Sequence, residues 1–144
     1  MHKQTIQLSA ADGHTFSAFQ TLPDNAPIAG IVIVQEIFGV TDHLKSVAKN
    51  FARYGYQVIV PALFDRVSRD TVLPYSNAER GREIAKRCDN TKVLKDIQCA
   101  AEHISVHGKV AVIGYCWGGT YAYLAACRLP ISLAVSYYGT RIGA

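Results

Sequence analysis

Val110-Ala-Val-Ile-Gly114-Tyr115-Cys116-Trp117-Gly118-Gly119 is the stretch that decides the fold. Its first half is a short apolar, largely β-branched run, the pattern of a strand buried on both faces. Its second half is G-x-C-x-G, and no charge follows until after Cys127. A buried strand that enters such a turn and continues as a helix is a nucleophile elbow, here with cysteine at the position of the more familiar serine. The turn holds the nucleophile in a cramped backbone conformation that tolerates no bulk beside it, so glycines stand at both second neighbours, Gly114 and Gly118. Cys116 also falls at a helix N-terminus, where unpaired N–H groups and the positive end of the dipole favour negative charge. A phosphate-binding loop would want Lys and Ser/Thr in register after the glycines, and neither follows. The uncharged run from Val110 to Cys127 reaches the lower limit of a membrane span, but its glycines, tyrosines and Trp117 read as strand, turn and buried helix.

Working outward, Gly30-Ile31-Val32-Ile33-Val34 is a second buried strand, followed at once by Gln35-Glu36-Ile37-Phe38-Gly39. Glu36 is therefore placed at the carboxyl edge of the sheet, where open α/β folds bind ligands. An oxyanion hole on such a frame combines the N–H after the nucleophile, that of Trp117, with one from this loop, that of Ile37. Residues 3–8 and 15–20 read as a hairpin turned by Asp12-Gly13. From Asp42, the residues Leu44, Val47, Ala48, Phe51 and Ala52 form a helical stripe that Gly55 stops, and Tyr56–Val60 is a further strand ended by Pro61. After a loop over 62–75, Ser76-x-x-Glu79 reads as a capping box opening a polar helix to about Arg87. Val93, Leu94, Ile97, Ala100, Ala101 and Ile104 mark a helix from Asn90 or Thr91. A strand over 109–114, a helix over 117–127 and a strand over 133–138 complete an α/β fold: a mostly parallel sheet with an antiparallel N-terminal hairpin.

The 144 residues allow one domain, and with 49% hydrophobic and 18% charged residues they are globular. A net charge of +4 is too small for a nucleic-acid binder and leaves room for an anionic small-molecule substrate. The four cysteines form no C-x-x-C pair, and the N-terminus has no apolar signal core, so free thiols in a reducing cytoplasm are expected. His103 and His107, at i and i+4, lack the companions of a metal site and read as surface histidines.

Asp12-Gly13-His14-Thr15-Phe16, Gln35-Glu36-Ile37-Phe38-Gly39-Val40, Gly55-Tyr56, Glu79-Arg80-x-Arg82-Glu83, Gly114-Tyr115-Cys116-x-Gly118-Gly119 and Tyr137-Tyr138-Gly139 follow one another in an order that resembles the dienelactone hydrolase family of α/β-hydrolases. The resemblance implies a Cys-His-Asp triad that opens a lactone or ester through a thioacyl-enzyme, with no cofactor or metal. It implies that Glu36 contacts the nucleophile and controls its ionisation, and that Arg82 helps hold a substrate carboxylate. Arg80 is the neighbour that takes this role if the register differs.

The sequence departs from the family pattern at one point. In this fold the acid and the histidine follow the nucleophile, yet Gly108 to Ala144 holds no His, Asp or Glu. The sequence therefore reads as residues 1–144 of a single incomplete α/β-hydrolase domain, its N-terminal portion, without the C-terminal strands and helices. Such a fragment is expected to be inactive alone. Its strand at 133–138 would be an exposed edge open to self-association. Two alternatives stand beside the hydrolase reading: a non-catalytic anion-binding or dimerising fragment, and catalysis within this chain with Glu36 as base for Cys116.

Overall fold

Three apolar runs lie side by side at the centre of the sheet. The structure, a computed structural model, describes residues 1–105 and 108–139. β3 (Gly30–Val34) pairs in parallel with β4 (Gln57–Pro61) on one side and β5 (Val110–Tyr115) on the other, Gly30 facing both Gln57 and Val110. Every residue of β3 and β4 is buried, which is why these strands show no alternation in the sequence. The antiparallel hairpin β1 (His2–Ser9) and β2 (Thr15–Leu22) joins through β2, whose Ala18 faces Pro61 and Thr21 faces Val58. That register puts the hairpin turn at the carboxyl end of the parallel strands. β6 (Leu133–Tyr137) runs parallel to β5, so the order among the described residues is β1-β2-β4-β3-β5-β6.

Helices cover both faces. α1 (Asp42–Arg53) begins at Thr41, whose Oγ1 accepts the Leu44 N–H at 3.3 Å, and it buries Leu44, Ala48 and Ala52. Leu44 and Ala48 pack with Phe19, Ile31, Ile33, Val58, Val60 and Ile113. The opposite face carries α3 (Asn90–Ile104), capped by Asp89, and α4 (Trp117–Arg128). All six apolar positions expected of α3 are buried there, against Val32, Val34, Ile59 and Val112. Each large aliphatic side chain so buried contributes about 1.5–3 kcal/mol relative to exposure.

Two details differ from expectation. α2 spans Ala78–Lys86 and its cap is Asn77, not Ser76: the segment after Pro74 winds into a 3₁₀ turn over Tyr75–Asn77, and Asn77 Oδ1 accepts the Arg80 N–H. The 62–75 segment is not loop throughout either. Its Leu63–Arg66 portion is a 3₁₀ turn with Leu63, Phe64 and Asp65 buried.

Candidate active site

β5 ends at Tyr115 and α4 starts at Trp117, which leaves Cys116 as the single connecting residue, with φ 56° and ψ −119°. A residue bearing a Cβ occupies this region at a cost of about 1–3 kcal/mol, so its surroundings must hold it there. They do so from both sides of the residue. Its N–H donates to the Tyr137 carbonyl at 2.7 Å, and its carbonyl accepts the Gly119 N–H at 2.8 Å. The flanking glycines are there for contact. A Cβ on Gly114 would lie 1.9 Å from the Gly118 carbonyl oxygen, and one on Gly118 would lie 2.3 and 2.4 Å from the carbonyl oxygens of Val34 and Gln35. The first turn of α4 is thus laid directly against the end of β3.

This contact brings the two sequence motifs together. Glu36 follows β3 and is half-buried, and its carboxylate makes no hydrogen bond or ion pair among the described residues. Its charge is felt at the elbow: Tyr115 is pushed up first by burial, then by Tyr137, whose ring stacks on it at 5.2 Å, and then by Glu36. Neither the Ile37 N–H nor the Trp117 N–H has an acceptor among the described residues. The Trp117 ring turns toward the core, 5.2 Å from Phe64 and 4.7 Å from Tyr121.

The loop after β3 is held from outside by the 71–75 segment and α2. The Leu73 N–H donates to the Phe38 carbonyl at 2.9 Å, Gly39 bridges Val72, and the rings of Phe38 and Tyr75 meet edge to face at 4.8 Å. Gly81 rests on the Ile37 carbonyl, where a Cβ would approach to 2.2 Å. That contact sets Arg80 and Arg82 beside the loop carrying Glu36. Arg80 pairs with Glu83 at 2.7 Å, whereas the exposed Arg82 makes no ion pair among the described residues.

All four thiols are free, with Cys116 half-buried and Cys127 exposed. Burial pushes the Cys88 thiol up to about 11 and raises that of Cys99 as well. His103 Nε2 lies 3.0 Å from Gln20 Oε1, and His107 lies outside the described residues. A cavity of about 180 Å³ between the hairpin and the 70–72 segment is bounded by neither Cys116 nor Glu36.

Sequence reasoning passed over two features of this rim. Arg66 joins Asp12 in the hairpin turn (2.8 and 3.0 Å) to fully buried Asp96 in α3 (2.8 Å to each oxygen). The Arg66 guanidinium holds the Asp12 carboxyl well below the usual range, whereas burial pushes Asp96 up against the pull of Arg66. An acid set among the buried Val93, Leu94 and Ile97 was the available signal. The second feature is Gln35, fully buried at the end of an apolar strand.

Residues 16–143 match the family model described as the Dienelactone hydrolase family. The chain is 35% identical over 147 residues to a carboxymethylenebutenolidase of Pseudomonas putida and 31% identical over 144 residues to carboxymethylenebutenolidase 1 of Cupriavidus pinatubonensis. These alignments take in 96% and 93% of this chain but 62% and 60% of the relatives, so the chain spans about three-fifths of their length. Among solved structures it superposes on the "Putative Dienelactone Hydrolase" of Klebsiella pneumoniae subsp. pneumoniae MGH 78578 with a TM-score of 0.82 and 26% identity, over 100% of this chain and 63% of that one. The fold is that of the α/β-hydrolases. A match that runs from β2 through the Glu36 loop to the elbow leaves one reading of the ancestry: this chain belongs to the dienelactone hydrolase family.

Proposed function

We propose that this chain carries the nucleophile-bearing part of a hydrolase that opens a small anionic lactone or ester. The observation that supports it most is Cys116 itself, held at positive φ at the mouth of α4 with two backbone donors that have no acceptor among the described residues, Ile37 N–H and Trp117 N–H, on either side of the β3–α4 contact. The Cys116 sulfur attacks the carbonyl carbon, and the displaced electron pair gathers on the carbonyl oxygen, facing those two donors. As the pair returns, the C–O bond breaks, the alkoxide takes up the proton that the Cys116 thiol gave up on attack, and a thioester to Cys116 remains for water to hydrolyse. Glu36 modulates the nucleophile, and Arg82, with Arg80 beside it, attracts the substrate carboxylate. The triad His and Asp lie outside this chain, residues 1–144 being one incomplete domain, and the four free thiols suit a cytoplasmic setting.

The chain is to be mixed with p-nitrophenyl acetate and with an unsaturated γ-lactone acid, and its peptides weighed. An acyl adduct on Cys116 without sustained turnover is expected, while a longer form bearing the His and Asp turns over. Equal turnover by both forms would reject the triad assignment, and an unmodified Cys116 would reject the nucleophile.

A second reading, a non-catalytic anion-binding or self-associating module, draws on β6, where Leu133 and Tyr137 are 60% and 48% exposed, and on Tyr138 just after it, 88% exposed. Size-exclusion chromatography together with an anion titration separates the two. A monomer without anion affinity removes this second reading.

A further inference from the structure

Gln35 is polar, uncharged and fully buried, and both ends of its side chain are engaged. Its Oε1 accepts the Leu63 N–H at 2.9 Å, which anchors the amide to the 3₁₀ turn after β4. Its Nε2 donates to the Glu36 carbonyl at 3.0 Å. That carbonyl shares a planar trans peptide with the Ile37 N–H, so fixing one end aims the other in the opposite direction. The next peptide is held as well, because the Ile37 carbonyl lies against Gly81, where no side chain would fit. The two peptides flanking the Ile37 Cα are thus clamped independently, one by a buried amide and one by a helix surface.

We infer that Gln35 is the positioning residue of the oxyanion hole: through the Glu36 carbonyl it orients the Ile37 N–H toward the oxygen that becomes negative during acylation, with Gly81 as the second jaw of the clamp. This inference rests on the reading of Ile37 and Trp117 as oxyanion donors. Gln35 itself touches no substrate. A hydrogen-bond donor fixed in advance stabilises a developing oxyanion far more than one that must reorient, and a carbonyl freed from its partner lets the peptide swing.

The test compares two reactions of the same sulfur in the full chain. Acylation by p-nitrophenyl acetate forms an S–C bond through a tetrahedral oxyanion and expels p-nitrophenolate. Alkylation by iodoacetamide forms an S–C bond by displacing iodide and builds no oxyanion. Rates are read at the Cys116 peptide by mass spectrometry, with exposed Cys127 as internal reference. In Q35M, which keeps the volume and loses both hydrogen bonds, the acylation-to-alkylation ratio at Cys116 should fall by about 10- to 100-fold. Q35E keeps an acceptor for Leu63 but turns a carboxylate oxygen on the Glu36 carbonyl, and it should fall at least as far. G81A, which leaves Gln35 in place and displaces the Ile37 carbonyl, should lower the ratio too and serves if the Gln35 variants fail to fold. A ratio within about twofold of the parent in the folded variants overturns the inference, as does a parallel loss of both reactions. If the parent ratio at Cys116 does not exceed that at Cys127, the oxyanion reading itself fails, which is a different result.

Discussion

Cys116 sits at φ 56°, a backbone region that glycine enters freely and cysteine does not. C116G should therefore retain full stability or gain up to about 1 kcal/mol in urea unfolding, while losing the acyl adduct at that site entirely. A clear loss of stability would mean that the sulfur is needed for packing. Glu36 is tested by chemistry: E36Q should change the alkylation rate of Cys116, and an unchanged rate would take the carboxylate out of contact with the sulfur. Cys116, Gly114 and Gly118 were legible in the sequence because the constraint is local, a turn whose clearances fall at fixed offsets. Gln35 carries no such local signature, since its partner Leu63 is brought to it by the pairing of β3 with β4.

Arg66 ties together the hairpin turn, the 3₁₀ turn after β4 and α3. Removing it strands a carboxylate with no solvent access, so R66A should lower the unfolding free energy by about 3–5 kcal/mol, and adding D96N should recover part of that loss. Beside this pair lies His14, stacked on Phe16 at 5.9 Å, its Nε2 buried with no hydrogen-bond partner among the described residues. Burial lowers its pKa from 6.5, Arg66 and Arg69 lower it further, and Asp96 and Asp12 oppose the shift. Below pH 6.5 the unfolded chain therefore takes up this proton before the folded chain does, and stability falls as pH drops through that window. H14F should flatten that part of the pH–stability curve, and a curve of unchanged slope would assign the dependence to other groups. Strands and helices were readable because apolar periodicity sums over many residues, as in the stripe of α3. The cap of α2 was misplaced by one residue because both Ser76 and Asn77 can cap, and the turn that follows Pro74 decides between them.

At the scale of the molecule, the described sheet ends in β6 on one side, and that strand presents Leu133 and Tyr137. Lysine at both positions (L133K with Y137K) should shift any self-associated species to monomer in sedimentation velocity, and an unchanged profile would assign association to another surface. The hydrolase fold was legible because the motifs recur in order along most of the chain.

The strand order has a consequence for synthesis. The opening hairpin leaves the ribosome first and β3 second, yet β4 slots between them. Until residue 61 emerges, the edges of β2 and β3 that β4 covers in the folded sheet stand open to each other, because α1 lies between β3 and β4 and only residues 23–29 separate β2 from β3. Stalling synthesis with β3 outside the ribosome and residues 57–61 still inside the exit tunnel should thus increase mispaired, chaperone-bound product, whereas a stall once residue 61 has emerged should not.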